Sequence, residues 1–464
     1  MWDMNARRVL PALFVALAGC AAQPVTEIQR PVLPDQWQRV QADDAQVALP
    51  AGTTDWWARF GAPELAEVVR QALDHNQNVA AAAARLEQAW AWARIAGASR
   101  WPEVSADLDA SRQGRLGGHP ETVGTNYGLG LTASYEVDFW GRLHAERQAV
   151  VQTARASGLD AHTVAVTVSA ETAAAWIDTQ SLRQRIGIAA SDLDRAERLA
   201  ALIRARVEAG LETPLALAQQ ETLLANQRAD LALLGQQAAQ AQALLALWMG
   251  RADDSGLSGA DIQTLRVPTV HAGLPSDLLV RRPDIAAAEA RLRAADADVV
   301  AARAAMFPRL TLATTVGGTD SSLSGVLDNP VYSLAAGLLA PIFQGGRLAA
   351  GHELAQAQRK ELLAHYRQAI LHGFMEVQQA LDAVAGTQAQ VSAQQQAQRQ
   401  AERAMSLAEA RYREGADTVL TLLDVQRELY VARDAAVQRQ ADQLRASVSL
   451  YRALGGGWDA GEQT

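Results

Sequence analysis

The chain has 464 residues, 20% of them charged, and a net charge of −9, so it carries no basic footprint for nucleic acid. Apolar residues make up 49% but aromatics only 5%, with a heavy share of alanine, a strong helix former too small to build a thick core. That balance suits long, closely packed helices, and a single cysteine, Cys20, excludes an intrachain disulfide and a cysteine-based zinc site.

The N-terminus reads MWDMNARRVLPALFVALAGC: Arg7 and Arg8, then an apolar run of about ten residues. The run is too short to cross a bilayer and has the form of a secretory signal peptide covering residues 1–19. It ends in LAGC, which resembles a bacterial lipobox in which Cys20 becomes the lipidated first residue; an ordinary signal with an uninvolved cysteine is the alternative. Ala21 and Ala22 follow, without the aspartate that holds lipoproteins at the inner membrane, so outer-membrane sorting is expected. No later stretch offers ~20 consecutive apolar residues, so no transmembrane helix is expected.

The remainder is written twice. GRL at 141–143 recurs at 346–348, the glycine Gly210 recurs as Gly415, and Gly250 as Gly455, each 205 residues on (346 − 141 = 205). Trp101-Pro102 recurs as Phe307-Pro308, and NVAAAAARL from Asn78 as DIAAAEARL from Asp284, each 206 on (307 − 101 = 206). The two copies occupy residues 61–260 and 261–464, a period far too long for a solenoid.

Each copy follows one plan. EVSADLDASRQ and NYGLGLTASYEVDF alternate apolar and polar residues, as strands do, at lengths that fit tilted membrane-spanning strands. The second copy offers RLTLATTV, a loop at Asp320–Ser322, and YSLAAGLLAPIF, where Ala335 and Leu339 weaken the polar side. Alternation alone leaves a hairpin in a soluble domain open. Proline-free stretches follow, Gly141 to Thr213 and Arg347 to the C-terminus, in which a helix of nearly seventy residues would reach roughly 100 Å. Leu182, Ile186, Ala189, Leu193, Ala196, Ala200, Ile203 and Val207 form a coiled-coil seam, and Ala397, Ala401, Ala404 and Ala408 a seam of small residues. Gly210 and Gly415 stop the long helices, and a second helix of about forty residues follows each. Interior glycines at 158, 187, 373 and 386 mark either bends or close packing.

If the four strands span a membrane, a lone copy is unable to close a barrel, because open strand edges are not tolerated in lipid and the smallest barrels have about eight strands. Two copies would supply eight and three would supply twelve.

At this point the residues resemble a family. DWWARFGAPELAEVVRQALDHNQNVAAAAARL at 55–86 and LPSDLLVRRPDIAAAEARLRAADADVVAARAAMFPRLTL at 274–312 are similar to the TolC-like outer-membrane efflux proteins, in particular their NodT-type lipoprotein branch. The resemblance covers nearly the whole mature chain, and LVRRPDI with Phe307-Pro308 downstream is its most distinctive part. It implies a mainly α fold with a transmembrane β-barrel: a homotrimer with a 12-stranded barrel in the outer membrane and a 12-helix α-barrel in the periplasm. It further implies two partners, a periplasmic adaptor protein and an inner-membrane transporter of RND type, with the anchor at Cys20 on an extended segment 20–60 in contact with outer-membrane lipid. Trp101 and Phe307 then stand at the membrane interface, the hairpin tips at Gly210 and Gly415 face the adaptor, and Leu420, Asp424 and Arg427 fall on the periplasmic gate. A second acidic gate position of some relatives is Thr421 here. Subtracting 205 places Gln219 and Thr222 at the first-copy equivalents of the charged pair, on the helix expected to lie outside. An exposed intrahelical ion pair is the plainer reading of Asp424 and Arg427.

No catalytic triad, HExxH, P-loop or dinucleotide fingerprint appears, and neither the scattered histidines nor the lone Glu171 suggest a metal site or acid–base chemistry. The expectation is a non-enzymatic exit duct for small toxic compounds or drugs, without a cofactor beyond lipid on Cys20. A type I protein-secretion duct and a lipid-anchored coiled-coil scaffold are the alternatives.

Overall fold

The computed structural model describes residues 30–31, 33–37, 55–114, 124–252, 260–268, 273–456 and 458. The chain divides into two compact units, Met1–Val32 and Leu33–Thr464. Of the first only Arg30 and Pro31 are described, so the signal peptide and Cys20 lie outside the described residues.

The elements of the second unit repeat in order. The first copy runs α1 (Pro63–His75), α2 (Gln77–Ala98), β1 (Glu103–Gln113), β2 (Gly124–Val137), α3 (Arg142–Glu208) and α4 (Pro214–Trp248). The second has a short turn of helix at Leu278–Arg281, then α5 (Pro283–Ala304), β3 (Arg309–Asp320), β4 (Val331–Leu339), α6 (Arg347–Arg413) and α7 (Val419–Ala453). Helices α3 and α6 have 67 residues each, and α4 and α7 have 35 each. The 205-residue offset (347 − 142 = 205) therefore holds at both ends of both pairs.

The short helices end before the expected forty residues for a steric reason. Each closes on a left-handed glycine, Gly250 (φ 72°) or Gly455 (φ 95°), pressed against the upstream chain. A Cβ would lie 2.3 Å from the His75 carbonyl oxygen at the first and 2.0 Å from that of Arg281 at the second. The residue at the start of the next helix then reaches back across the joint. Asn76 donates its side-chain amide to the Trp248 carbonyl (2.8 Å), and Arg282 donates to the Ala453 carbonyl (3.0 Å). Helix α4 is thereby spliced end to end onto α2, and α7 onto α5, with otherwise orphaned C-terminal carbonyls satisfied by side chains. LVRRPDI is the second splice: Arg282 is buried, paired with Asp284 (2.7 Å) and Glu376 (2.6 Å), and lies against Gly373, whose missing Cβ leaves the space. Gly373 is thus a packing point, whereas no atom stands within 4 Å of a Cβ built on Gly187 or Gly386.

The strands form one antiparallel sheet of order β1-β2-β3-β4. Its register puts Val104, Leu108, Leu129, Leu131, Tyr135, Leu312, Val316, Tyr332, Leu334 and Leu338 on one face. Ser105, Asp107, Asp109, Asn126, Thr132, Glu136, Thr311 and Thr315 share the other. The apolar face is exposed, Leu108 to 68% and Leu334 to 77%, as a surface shaped for lipid would be. β2 lies two residues earlier than expected, at 124–137, and the two second-copy strands end elsewhere than expected. β3 continues through Gly317 and Gly318 to Asp320, because neighbouring backbone comes so close that only glycine fits: a Cβ would lie 2.4 Å from the Leu129 carbonyl oxygen and 1.9 Å from that of Val326. β4 stops at Leu339, ahead of Pro341, which has no N–H to pair.

Of the expected α3 seam, Ala189, Ala196, Ala200 and Ile203 are buried and the other members half-buried. Of the expected small-residue seam on α6, Ala408 is buried and Ala401 half-buried within the chain. Ala397 and Ala404 are exposed, and the face α6 turns inward within the chain runs Val391, Gln394, Gln398, Ala401, Met405, Ala408 and Tyr412. The thickest core lies under the splices, where Trp56, Phe60, Trp176 and Tyr451 are fully buried and Trp56 stacks on Tyr451 (5.0 Å).

Arg282→Met is expected to destabilise the protein by about 3 kcal/mol, the low end for breaking a buried ion pair, because the side chains of Asp284 and Glu376 retain 34% and 30% exposure. Asn76→Ala, which removes two neutral hydrogen bonds at the other splice, to the Trp248 carbonyl and from the Asn78 N–H that it caps, should cost about 2 kcal/mol. Thermal unfolding of the detergent-solubilised protein measures both, and equal losses would show that the charge at the second splice contributes nothing.

Candidate functional site at the hairpin tips and strand–helix joints

Both hairpin tips are built by the same local chemistry. Gly210 (φ 71°) and Gly415 (φ 72°) take the left-handed conformation that ends a helix, and Leu211 and Ala416 donate back to the Arg206 (2.7 Å) and Arg411 (2.9 Å) carbonyls. Three residues after each glycine a threonine caps the returning helix: Thr213 accepts from Ala216 N (3.2 Å), and Thr418 from Thr421 N (3.5 Å). Sequence reading identifies the glycines and passes over these caps, whose signal is a threonine directly before each short helix. The tips are fastened to one another by a small core of Ile203, Ala216, Tyr412, Val419 and Leu422. Arg206 adds to it, lying over the Tyr412 ring (5.2 Å) and donating to its hydroxyl (3.3 Å).

Beyond the second tip, Leu420, Asp424 and Arg427 lie together on α7, with Arg427 bonded to Asp424 at 3.1 Å. Both charged side chains are mostly exposed, at 69% for Asp424 and 61% for Arg427. The three residues line a groove of about 570 Å³ between α7 and α4, and the opposite wall includes Gln219 and Thr222. The structure thus brings the charged pair and its uncharged first-copy equivalents onto one groove instead of separate faces. Thr421, in place of a second acid, donates its hydroxyl to Asp417 (2.8 Å). That bond, with those from Thr418 N and Arg411, holds the Asp417 carboxyl below its ordinary range.

Helix α7 is tied to the first copy by a ladder of charges. On α3 the positions 171, 178, 185 and 192 recur every seven residues and each meets α7. Glu171 pairs with Arg452 (2.7 Å), Asp178 with Arg445, Arg185 with Asp434 (2.7 Å), and Asp192 with Arg433 (3.7 Å). Sequence reading singles out only Glu171, as a lone carboxylate; charged residues of both signs at heptad spacing on α3 are the signal it misses. Burial pushes the Asp178 and Asp192 carboxyls up, against the pull of their arginines. Asp192 is the extreme case, with Oδ2 buried and unbonded and Arg195 at 3.4 Å.

At the other end, where helix turns into strand, Trp101 is exposed, and Phe307 stacks on Trp140 (4.6 Å), whose indole donates to the Pro308 carbonyl (2.9 Å). Phe139, Ile342 and Phe343, exposed at the same joints, extend this aromatic and apolar band beyond the two residues the sequence suggested. The first-copy loop 115–123 lies outside the described residues.

Against known proteins, the family described as outer membrane efflux protein matches residues 68–251 and 274–456. The chain belongs to the outer membrane efflux protein family. It is 43% identical over 466 residues to the pyoverdine export outer membrane protein OpmQ of Pseudomonas putida, covering 98% of each chain, and 33% identical to the outer membrane protein OprJ of Pseudomonas aeruginosa, over 97% of this chain and 96% of that one. Among solved structures it superimposes on the open state of the Neisseria gonorrhoeae MtrE outer membrane channel with a TM-score of 0.86 at 28% identity, over 96% of this chain and 100% of that one.

An outer membrane efflux protein of this type is a TolC-like trimeric channel reaching from the outer membrane into the periplasm. Four strands per chain make twelve in the trimer (4 × 3 = 12), so every strand edge finds a partner. The polar sheet face then lines the lumen and the apolar face meets lipid. As in its relatives, the channel is the outer-membrane part of a tripartite efflux system, working with an adaptor and an inner-membrane pump.

The ladder generates a pH test. Because burial raises the folded-state pKa of Asp192 above its unfolded value, the stabilisation linked to its proton is complete below the unfolded pKa and is lost as pH rises through the folded one. Asp192→Asn removes that dependence and leaves Arg433 its bond to Glu402 (3.4 Å). The unfolding temperature of the variant relative to wild type should therefore rise between pH 4 and pH 7, with a change at neutral pH under about 1 kcal/mol, less than the 3–5 typical of a broken buried pair. A variant that loses ground with rising pH contradicts the assignment.

Proposed function

We propose that the chain forms a passive exit duct for small toxic compounds or drugs, closed at its periplasmic end by the second hairpin. The observation that carries this reading is the continuity of one wall: a sheet with a mainly apolar outer face and a mainly polar inner one, whose second and fourth strands lead into helices of 67 residues. A duct needs no catalytic group, and none is assigned. The energy comes from an inner-membrane transporter of RND type, reached through an adaptor that contacts the tips at Gly210 and Gly415.

The gate is assigned to Leu420, Asp424 and Arg427. An exposed pair on one helix contributes little to stability, about 0–1 kcal/mol, so stability does not account for it. Its position supports a role in closure: it lies just past the tip glycine, in an open groove, and only in the copy whose helix is tethered to α3 by the charge ladder. Repeated by threefold symmetry it makes a charged constriction. In planar bilayers the wild-type trimer should be closed most of the time, and Asp424→Ala/Arg427→Ala should raise its open fraction about tenfold, equivalent to roughly 1.4 kcal/mol. Equal, large conductance in both proteins would sink the gate assignment, and no conductance in either would overturn the duct.

A second cargo class has its own support. Two relatives at 43% and 42% identity are named for pyoverdine export, which makes pyoverdine a cargo to test beside drugs.

The anchor on Cys20 is part of the proposal. Trp37 is buried, stacked on Phe374 of α6 (5.0 Å), and bonded to the Gly273 carbonyl (2.8 Å), so the segment that follows the anchor is pinned to the helical wall. Phe374 lies 374 − 347 = 27 residues along α6 from its membrane end, about 40 Å. The 17 residues from Cys20 to Trp37 (37 − 20 = 17) can span at most ~60 Å, enough to return to the membrane. Cells fed labelled palmitate should label the wild type and not Cys20→Ser; label retained by the variant would remove the anchor from Cys20.

A further inference from the structure

On the outer wall, where α2 gives way to β1, Trp90, Arg94, Arg100 and Trp101 join Arg147 of α3 around an open groove of about 440 Å³. A water occupies ~30 Å³, so the groove has room for a group the size of a phosphoglycerol headgroup. None of the three arginines has a carboxylate partner among the described residues, unlike Arg142, which sits beside Arg147 and is bonded to Glu136 (2.8 Å) and Glu146 (2.6 Å). The nearest acid on the same side of α2 is Glu87, seven residues before Arg94 and hence about 10 Å down the helix. Gly97 opens the floor: Arg147 lies flat across it, with Nε 3.4 Å from where a Cβ would stand. Trp101, 75% exposed, forms the upper rim.

The groove faces away from the lumen. Arg142 reaches the polar sheet face through Glu136, which marks the lumen side of α3. At 3.6 residues per turn, Arg147 and Val151 lie about 140° around the helix from Arg142 and Glu146. The groove also lies directly below the lipid-facing stripe of β1, which begins at Val104. Three unpaired guanidinium groups and two tryptophans at the level of the headgroups, on the helical side of the bilayer, form a pocket complementary to a negative charge at the end of an acyl chain.

We propose that this groove binds the headgroup of an anionic phospholipid in the periplasmic leaflet of the outer membrane, one per protomer. The bound lipid neutralises Arg94, Arg100 and Arg147, and the two tryptophans flank its glycerol region. This extends Trp101 from a general interface aromatic to part of a defined lipid site.

Native mass spectrometry of the intact trimer, after equilibration with equal amounts of phosphatidylglycerol and phosphatidylcholine of matched chains, tests the proposal. Wild type should retain phosphatidylglycerol at least about fivefold over phosphatidylcholine, saturating at three copies per trimer. Arg94→Gln/Arg147→Gln should bring the ratio within about twofold of unity while the trimer persists, and Arg100→Gln, in the exposed turn before β1, should lower it about threefold. Equal retention of the two lipids by wild type overturns the proposal whatever the variants do, as does undiminished preference in both variants. Loss of the bound lipid to 10 mM inorganic phosphate would assign the groove to a free anion and overturn it equally.

Discussion

Four strands with two open edges cannot rest in a bilayer, and the architecture depends on that constraint. Within one protomer β1 and β4 each present an unpaired edge, while one face of the sheet is mainly apolar and largely exposed. Lipid supplies no hydrogen-bond partners, so the edges must pair with other copies and the sheet must curl shut. Once closed, the barrel dictates the shape of the periplasmic part. Each strand continues as a helix, so the wall passes from sheet to helical tube without a seam, and alanine-rich helices can stand side by side because the tube offers every helix two neighbours. The composition, apolar yet poor in aromatics, suits a wall more than a globule.

Duplication built this wall, and the splices show how closely the copies were kept. Asn76 and Arg282 are chemically unlike, yet each begins a helix and each reaches back to the final carbonyls of a helix ending on a left-handed glycine. The second copy adds charge, since Arg282 also gathers Asp284 and Glu376 beside Gly373. The joint is sterically common to both copies and electrostatically particular to one.

The copies diverge in the charges carried by their short helices. α7 alone carries the pair Asp424–Arg427, and α7 alone is laced to α3 by four ion pairs at heptad spacing. Burial pushes the carboxyls of two of the four acids, Asp178 and Asp192, up against the pull of their arginines. The ladder starts beside the second splice, where Arg452 neighbours Ala453, and runs down α7 to Arg433.

Period and repetition were legible in the sequence by themselves: two copies 205 residues apart, alternating strands, long helices stopping at Gly210 and Gly415, and the need for more than one copy of the chain. These are local or arithmetic properties, set by backbone geometry and by the period of the apolar residues. The neighbours of each residue were decided only by tertiary structure. Within the chain, Val391, Met405 and Tyr412 join Ala401 and Ala408 on the inward face of α6, while Ala397 and Ala404 are exposed. Gln219 and Thr222 came to face Asp424 and Arg427 across a groove that no spacing rule predicts. Glu171, alone in the sequence, acquired Arg452 from 281 residues away, and Trp140 acquired Pro308 from 168. Contacts over such separations follow from how the two copies pack, and a single helix or strand pattern carries no record of that packing.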